Sequence, residues 1–591
     1  MARLAKTPRR TGTPSGASFP GHLLPVAALL AVLLVPLGAR AGADEVLLFL
    51  EVSGIEDLWS FVDRWEKEGA RFPHVYPPGA LIGEVPPAIE RPILEDPRVR
   101  EMHRRPGVRP RAKSDDPRTI LFDSWRDAVA AEDLPVLTQA RTEFRSLAVP
   151  PPSLEKWSPP IPDIGTKVYG RAFGANYIQT SEWMLGKVAV GVILPDCPRF
   201  SYSPSEVASV VEAVRAAMDF WASRVNVLPG VRFVYEVHHG ISTAEDFANN
   251  PPRIDEETWI PEIMGSLGYT LRIDGTAAGS VYEFVDSLRT RYRTEWGICM
   301  FIPKVPGFRA SYTSYSHLGG PLLVSPAGIQ KDSGRLVAGS VWLPHVLMHE
   351  TGHLFWALDE SCESGSCVPC HVGSGYLHVR NANSMNRDYW CDDHHADCCM
   401  DVPAPFVCKY TLGQMGVHDI DEDLIPDVLD THPYVAVDPL PDTITTIEPL
   451  ITGLAAEIPM VNRAIHSGVG AHESEQTVFP RNDITFNSIE HVIYRVDGIV
   501  DEEGQDLWMY ADPPGGWERD TTFVRFSFTP DSLTGGDQTI TIRAVNTMGN
   551  RSSWGERRVR VFVKAIALRD FQALPDFDGR VRLSFRVRGG T

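Results

Sequence analysis

Apolar positions along the chain fall into stretches of different texture. Val46-Leu-Leu-Phe-Leu-Glu-Val52 is a short apolar run that predicts a strand, and Ile55 to Trp65 puts apolar residues on one helix face. Ala80 to Val85 predicts a second strand, and a helix over Ala88 to Leu94 leads into Arg98 to Met102. Residues 44–105 therefore read as a small α+β unit. Residues 106–178 are rich in Pro and Arg. Val149-Pro-Pro-Pro-Ser153 and Trp157-Ser-Pro-Pro-Ile-Pro162 there read as extended linker.

Further on the pattern becomes α/β. Lys187 to Leu194, Val231 to Val237 and Gly297 to Ile302 are apolar strand runs, separated by an amphipathic helix over Ser203 to Arg224 and another around Tyr282 to Tyr292. Strands spaced by such helices predict a mixed sheet covered by helices, over residues 179–415. After about Pro439 short alternating strands take over: Val492, Tyr494 and Val496; Val524, Phe526 and Phe528; Ile540, Ile542 and Ala544. Turn clusters at Thr534–Asp537 and Met548–Asn550 separate them, which is the texture of an immunoglobulin- or fibronectin-like β-sandwich over 440–566. Residues 567–591 hold one more alternating strand, Val581 to Val587, read as an edge strand or the stub of a further domain.

Composition narrows the class. The chain of 591 residues is 43% hydrophobic and 22% charged, ordinary for globular domains, and its formal charge is −20. Such an acidic chain without basic clusters is a poor partner for nucleic acid or an anionic membrane surface. Residues 1–43 read as a signal peptide: Arg3, Lys6, Arg9 and Arg10 precede an apolar run from Leu23 to Leu37, and Ala39, Ala41 and Ala43 follow, with cleavage near Ala41 or Ala43. That run is shorter than the roughly 20 residues that span a bilayer. No later segment is long and apolar enough, so a secreted protein without a membrane span is expected.

All nine cysteines lie between Cys197 and Cys408, seven of them from Cys362 onward. In an exported chain this density predicts disulfides, with at least one thiol unpaired or paired with another chain because nine is odd. The alternative is zinc held by Cys367, Cys370 and His371 with Cys391, His394 and His395.

The chemically informative stretch is Val346-Leu-Met-His-Glu-Thr-Gly-His-Leu-Phe-Trp-Ala-Leu-Asp-Glu360. Histidines four apart lie one above the other on a helix, so His349 and His353 can reach one zinc ion. Glu350 lies about 100° around that helix, placed to take a proton from a water at the metal. Leu347, Met348, Leu354 and Phe355 are apolar, as a buried helix requires.

Here the sequence resembles the metzincin branch of zinc metalloproteases, whose signature H-E-x-x-H-x-x-G-x-x-H ends in Asp in snapalysin-like members. His349, Glu350 and His353 match, and Asp359 falls at the third-ligand position; the text is also similar to the immune-inhibitor and IgA-peptidase groups. Trp356 stands where the family has the glycine that lets the helix end. Were the helix to run on, Glu360 would face the same side and become the alternative third ligand. Asn383-Ser-Met385 resembles the Met-turn that packs beneath the metal in that family. The resemblance covers roughly residues 180–415. It implies an α/β metzincin-like catalytic domain with an active-site helix, and residues 44–105 loosely resemble ferredoxin-like protease propeptides.

Between the two larger units, at 416–439, Asp419, Asp421, Asp423, Asp427 and Asp430 take loop positions 1, 3, 5, 9 and 12. Calcium favours that oxygen density, as in thrombospondin-type and dockerin-like loops; the alternative is a solvated acidic linker. Leu424 stands in place of the turn glycine. The expectation is a secreted zinc endopeptidase, with calcium as a second ion, acting on protein or peptide, its sandwich binding a surface or matrix ligand. Its rival is an inactive protease-fold adhesin acting through the sandwich.

Overall fold

The computed structural model describes residues 45–104, Leu121, Phe122, Trp125 and most of 171–587; residues 306–313, 361–367, 385–396 and 464–480 are among those outside the description. The expected signal peptide, most of the expected linker and Met385, the expected Met-turn residue, thus lie outside the described residues. No helix among the described residues is long and apolar enough to cross a membrane.

The N-terminal stretch folds as β1 (Glu45–Leu50), α1 (Ile55–Lys67), β2 (Arg71–Tyr76), β3 (Ala80–Glu84), α2 (Pro87–Leu94) and β4 (Val99–His103). In α1 the apolar face supplies Leu58, Phe61, Val62 and Trp65 to a core shared with β1 and β3. The next stretch gives β5 (Gly186–Asp196), α3 (Pro204–Arg224), β6 (Val231–Ser242), α4 (Glu256–Ser266), α5 (Ala278–Tyr292), β7 (Trp296–Phe301), β8 (Tyr315–Ser316) and β9 (Leu322–Val324). Ser203 starts α3 with a capping box: its hydroxyl accepts from the Glu206 amide, and the Glu206 carboxylate accepts from the Ser203 amide.

These strands form one nine-stranded sheet in the order β4-β1-β3-β2-β6-β5-β7-β9-β8. The five strands β2, β6, β5, β7 and β9 pair in parallel, while β8 turns antiparallel on β9 and ends the sheet. The N-terminal unit is thus joined to the larger one through β2 against β6, with His74 opposite Phe233 and Val75 opposite Val234. Strand β2 escapes the sequence pattern, because Pro73 and His74 interrupt its apolar run. Helix α3 packs on one face of the sheet, where Val207, Val210, Val214 and Trp221 are buried with Val188, Val190 and Val192 of β5. Helices α4 and α5 cover the other face, against Ala189, Ile193 and Phe301. This is a mixed α/β arrangement of several sheets.

After the acidic loop a three-stranded sheet (434–437, 451–456 and 523–528) and a five-stranded sheet (443–444, 555–561, 536–546, 489–496 and 509–510) enclose a common core. The alternating residues Val492, Tyr494, Val496, Val524, Phe526, Phe528, Ile540, Ile542 and Ala544 all point into it. Val581–Val587 pairs antiparallel with Leu568–Pro575 as a separate two-stranded sheet.

Candidate metal centre

Helix α6 (Leu343–Leu354) carries the two histidines; Pro344 in its first turn has a φ already suited to helix. Leu343, Leu347, Met348 and Leu354 lock it into the core, and its Met348 carbonyl accepts from Trp221 Nε1 at 3.1 Å. Gly352 is a close approach: a Cβ there would lie 2.7 Å from Met400 Sδ. Met400 therefore packs against this helix.

The helix ends five residues before Asp359. The Trp356 amide bonds to the His353 carbonyl and the Ala357 amide to the Gly352 carbonyl, both at 3.0 Å. Trp356 itself takes the left-handed conformation, φ 74°, as the residue closing a helix does and as glycine does at least cost. Its ring makes up for the backbone: it is 4% exposed, lies beneath the Arg481 guanidinium (4.2 Å to the centroid), and packs against Gly319. A Cβ on Gly319 would come within 2.2 Å of that ring, so this position has room only for glycine.

The chain then swings Asp359 back. Its Oδ1 lies 3.1 Å from His349 Nε2 and 3.3 Å from His353 Nε2, and the two Nε2 atoms are 3.2 Å apart. His349 Nδ1 donates to the Cys399 carbonyl at 2.9 Å and His353 Nδ1 to the Ala357 carbonyl at 2.7 Å. Those outer bonds place the Nε2 lone pairs toward the common centre, as in zinc sites. Two imidazole nitrogens and one carboxylate oxygen at this spacing fit the donor set of a three-ligand zinc centre. Burial disfavours the charged form of His349, but its hydrogen bond to Asp359 and the nearby Glu350 outweigh that and raise it to about 9. Burial likewise opposes ionisation of Asp359, yet the two histidines hold its carboxylate far below the usual range.

Glu350 is 7% exposed, and its Oε2 accepts from Ser316 Oγ at 2.6 Å. Ser316 lies on β8, the last strand of the sheet, 34 positions upstream. Nothing in the local sequence marks it. Glu360, the alternative ligand, is directed elsewhere: it is fully buried, accepting from Asn383 Nδ2 at 2.5 Å and Thr411 Oγ1 at 3.0 Å. Burial pushes it up to about 8.

In the acidic loop Asp419, Asp421 and Asp423 come together. Leu424, at the glycine position, has φ 74°, and its amide bonds to Asp419 Oδ2 at 2.8 Å. Asp427 instead accepts from the Ile420 amide and His418, and Asp430 from Asn550. Cys370 is disulfide-bonded and so unavailable as the zinc ligand considered above. Cys197, Cys299, Cys398, Cys399 and Cys408 carry free thiols. Cys362, Cys367, Cys391, His394 and His395 lie outside the described residues.

No family model and no curated protein matches the chain. Among solved structures, astrotactin-2, described as a perforin-like vertebrate membrane protein of neuronal development, aligns over 25% of this chain and 24% of its own at 9% identity and a TM-score of 0.15. The chain therefore spans about a quarter of that protein. An engineered protein aligns over 67% of this chain and 100% of its own, at 10% identity and a TM-score of 0.13.

Proposed function

We propose that the protein is an exported zinc-dependent endopeptidase of metzincin type. The observation that carries this reading is the convergence of His349, His353 and Asp359 within 3.1–3.3 Å, beside a buried Glu350 fixed by Ser316. A zinc ion held there would supply Lewis acidity, polarising the scissile carbonyl and lowering the pKa of a water to roughly 7. Glu350 takes the proton from the attacking water and returns it to the leaving amine. Ser316 holds one oxygen of that carboxylate. The antiparallel edge strand β8 offers main-chain groups to which an extended peptide can add as a further strand. Asp419, Asp421 and Asp423 would hold calcium at the junction with the immunoglobulin- or fibronectin-like sandwich, whose ligand would be a surface or matrix component.

The test is cleavage of a peptide library by the purified protein beside its Glu350→Ala variant, with zinc counted in both. Cleavage by the wild type that a chelator stops, and a variant that keeps its zinc while activity falls by at least about 100-fold, is the expected result. A zinc-loaded wild type that cuts nothing would refute it and leave the sandwich as the seat of function.

A further inference from the structure

Beside the candidate centre lies a second group of donors that the proposed reaction does not use. Glu360 follows Asp359 directly, Cys398 opens the loop that also holds Cys399 and Met400, and Cys408 caps α7 (Lys409–Gln414). These three come from separate segments, are 0%, 0% and 6% exposed, and bring ligand atoms within 4.8 Å of one another. Cys408 Sγ is 2.8 Å from Glu360 Oε1. Thr411 Oγ1 lies 3.4 Å from Cys398 Sγ and 3.5 Å from Cys408 Sγ. A tetrahedral zinc centre with bonds of 2.0–2.3 Å has edges of roughly 3.3–3.8 Å, so the Thr411 distances to both sulfurs already match, while the Cys408–Glu360 contact is a thiol hydrogen bond that would lengthen on binding.

Two further observations point to a cation. The thiols of Cys398 and Cys408 are not bonded to each other, whereas Cys370 in the same region is in a disulfide. Both sulfurs also accept backbone N–H groups, Cys398 from Cys408 at 3.3 Å and Cys408 from Thr411 at 3.4 Å. Such bonds stabilise thiolate charge around a metal.

We propose that Glu360, Cys398 and Cys408 form a second, structural metal site that takes a thiophilic divalent cation, zinc. The fourth corner falls to Cys399 Sγ, which contacts Cys398, or to Thr411 Oγ1. On binding, each thiol gives its proton to solvent and no electron is transferred. The site stitches together the segments that orient the first centre. The Cys399 carbonyl holds His349, the Met400 carbonyl accepts from the Glu360 amide at 2.9 Å, and Asp359 precedes Glu360. The proposal does not depend on catalysis at His349 and His353.

Elemental analysis of the full chain tests it, comparing wild type, His349→Ala/His353→Ala and Cys398→Ser/Cys408→Ser. The expected zinc content is two per chain in the wild type and one in the histidine variant. The Co²⁺ form of the histidine variant should show a thiolate-to-metal charge-transfer band, which a site of histidines and carboxylate lacks. If the cysteine variant does not fold, thiol alkylation of the histidine variant decides. Cys398 and Cys408 should be protected with zinc present and react once a chelator is added. One zinc in the wild type, retained in the histidine variant, would sink the peptidase reading and support this one. A histidine variant without zinc, or a Cys398–Cys408 disulfide in the peptide map, would overturn the proposal.

Discussion

Two single residues carry much of the candidate centre. Ser316 holds Glu350 through one short charge-assisted bond, a type worth roughly 1.5–3 kcal/mol. Ser316→Ala should therefore lower kcat about tenfold or more while zinc content stays unchanged, which kinetics and metal analysis on one preparation can read. Trp356 combines an unfavourable backbone with a favourable ring. A left-handed non-glycine residue costs about 1–2 kcal/mol, and truncating a buried tryptophan costs about 3–5 kcal/mol. Both Trp356→Ala and Trp356→Gly should thus destabilise the fold in urea, the glycine variant by about 1 kcal/mol less. A glycine variant as stable as wild type would mean the ring adds nothing.

At the scale of elements, the apolar runs of β1, β5, β6 and β7, the helix α3 with its Ser203 cap, and the alternating sandwich strands were legible in the sequence. In each the burial pattern lies within one contiguous segment. The histidine pair was legible for the same reason, because four residues make one helical turn. What was not legible depends on distant partners. His74 is fully buried in β2 only because Tyr235 and Asp219, 161 and 145 positions away, bond its two ring nitrogens. The left-handed turn at Trp356 likewise rests on Gly319 and Arg481.

Glu457, just past the strand Ile451–Ala456, is another such meeting point: it is 1% exposed and accepts from Thr431, Asn487 and Asn546. Burial raises its pKa from 4.5 to about 7. Between those values the folded chain holds a proton that the unfolded chain has released, so stability falls as pH rises through that window, by about 3 kcal/mol at most. Glu457→Gln cannot ionise. Its melting temperature should exceed that of wild type at pH 8 and lose that advantage at pH 4, by thermal denaturation in matched buffers.

Across the whole molecule, the units are tied by buried charge as well as by strand pairing. Arg215 of α3 is 6% exposed and bonds Glu212, Asp219 and Glu45, the last being the first residue of β1. Removing one member of a buried ion network leaves the others uncompensated and costs about 3–5 kcal/mol. Arg215→Ala should show that loss in urea unfolding, and hydrogen exchange should accelerate in β1 and β3 ahead of β5 and β7. The sandwich is attached differently. The segment before its strand 489–496 leaves the sandwich and enters the neighbouring core: Ile484 is fully buried there, and the Phe486 ring packs 5.2 Å from Trp183 and 5.6 Å from Trp296. Arg481 pairs with the buried Glu182 and covers Trp356. The units are therefore interleaved rather than strung in series. A gene exchange at residue 439 would carry away the segment that covers Trp356, the residue turning the chain from the histidine helix to Asp359.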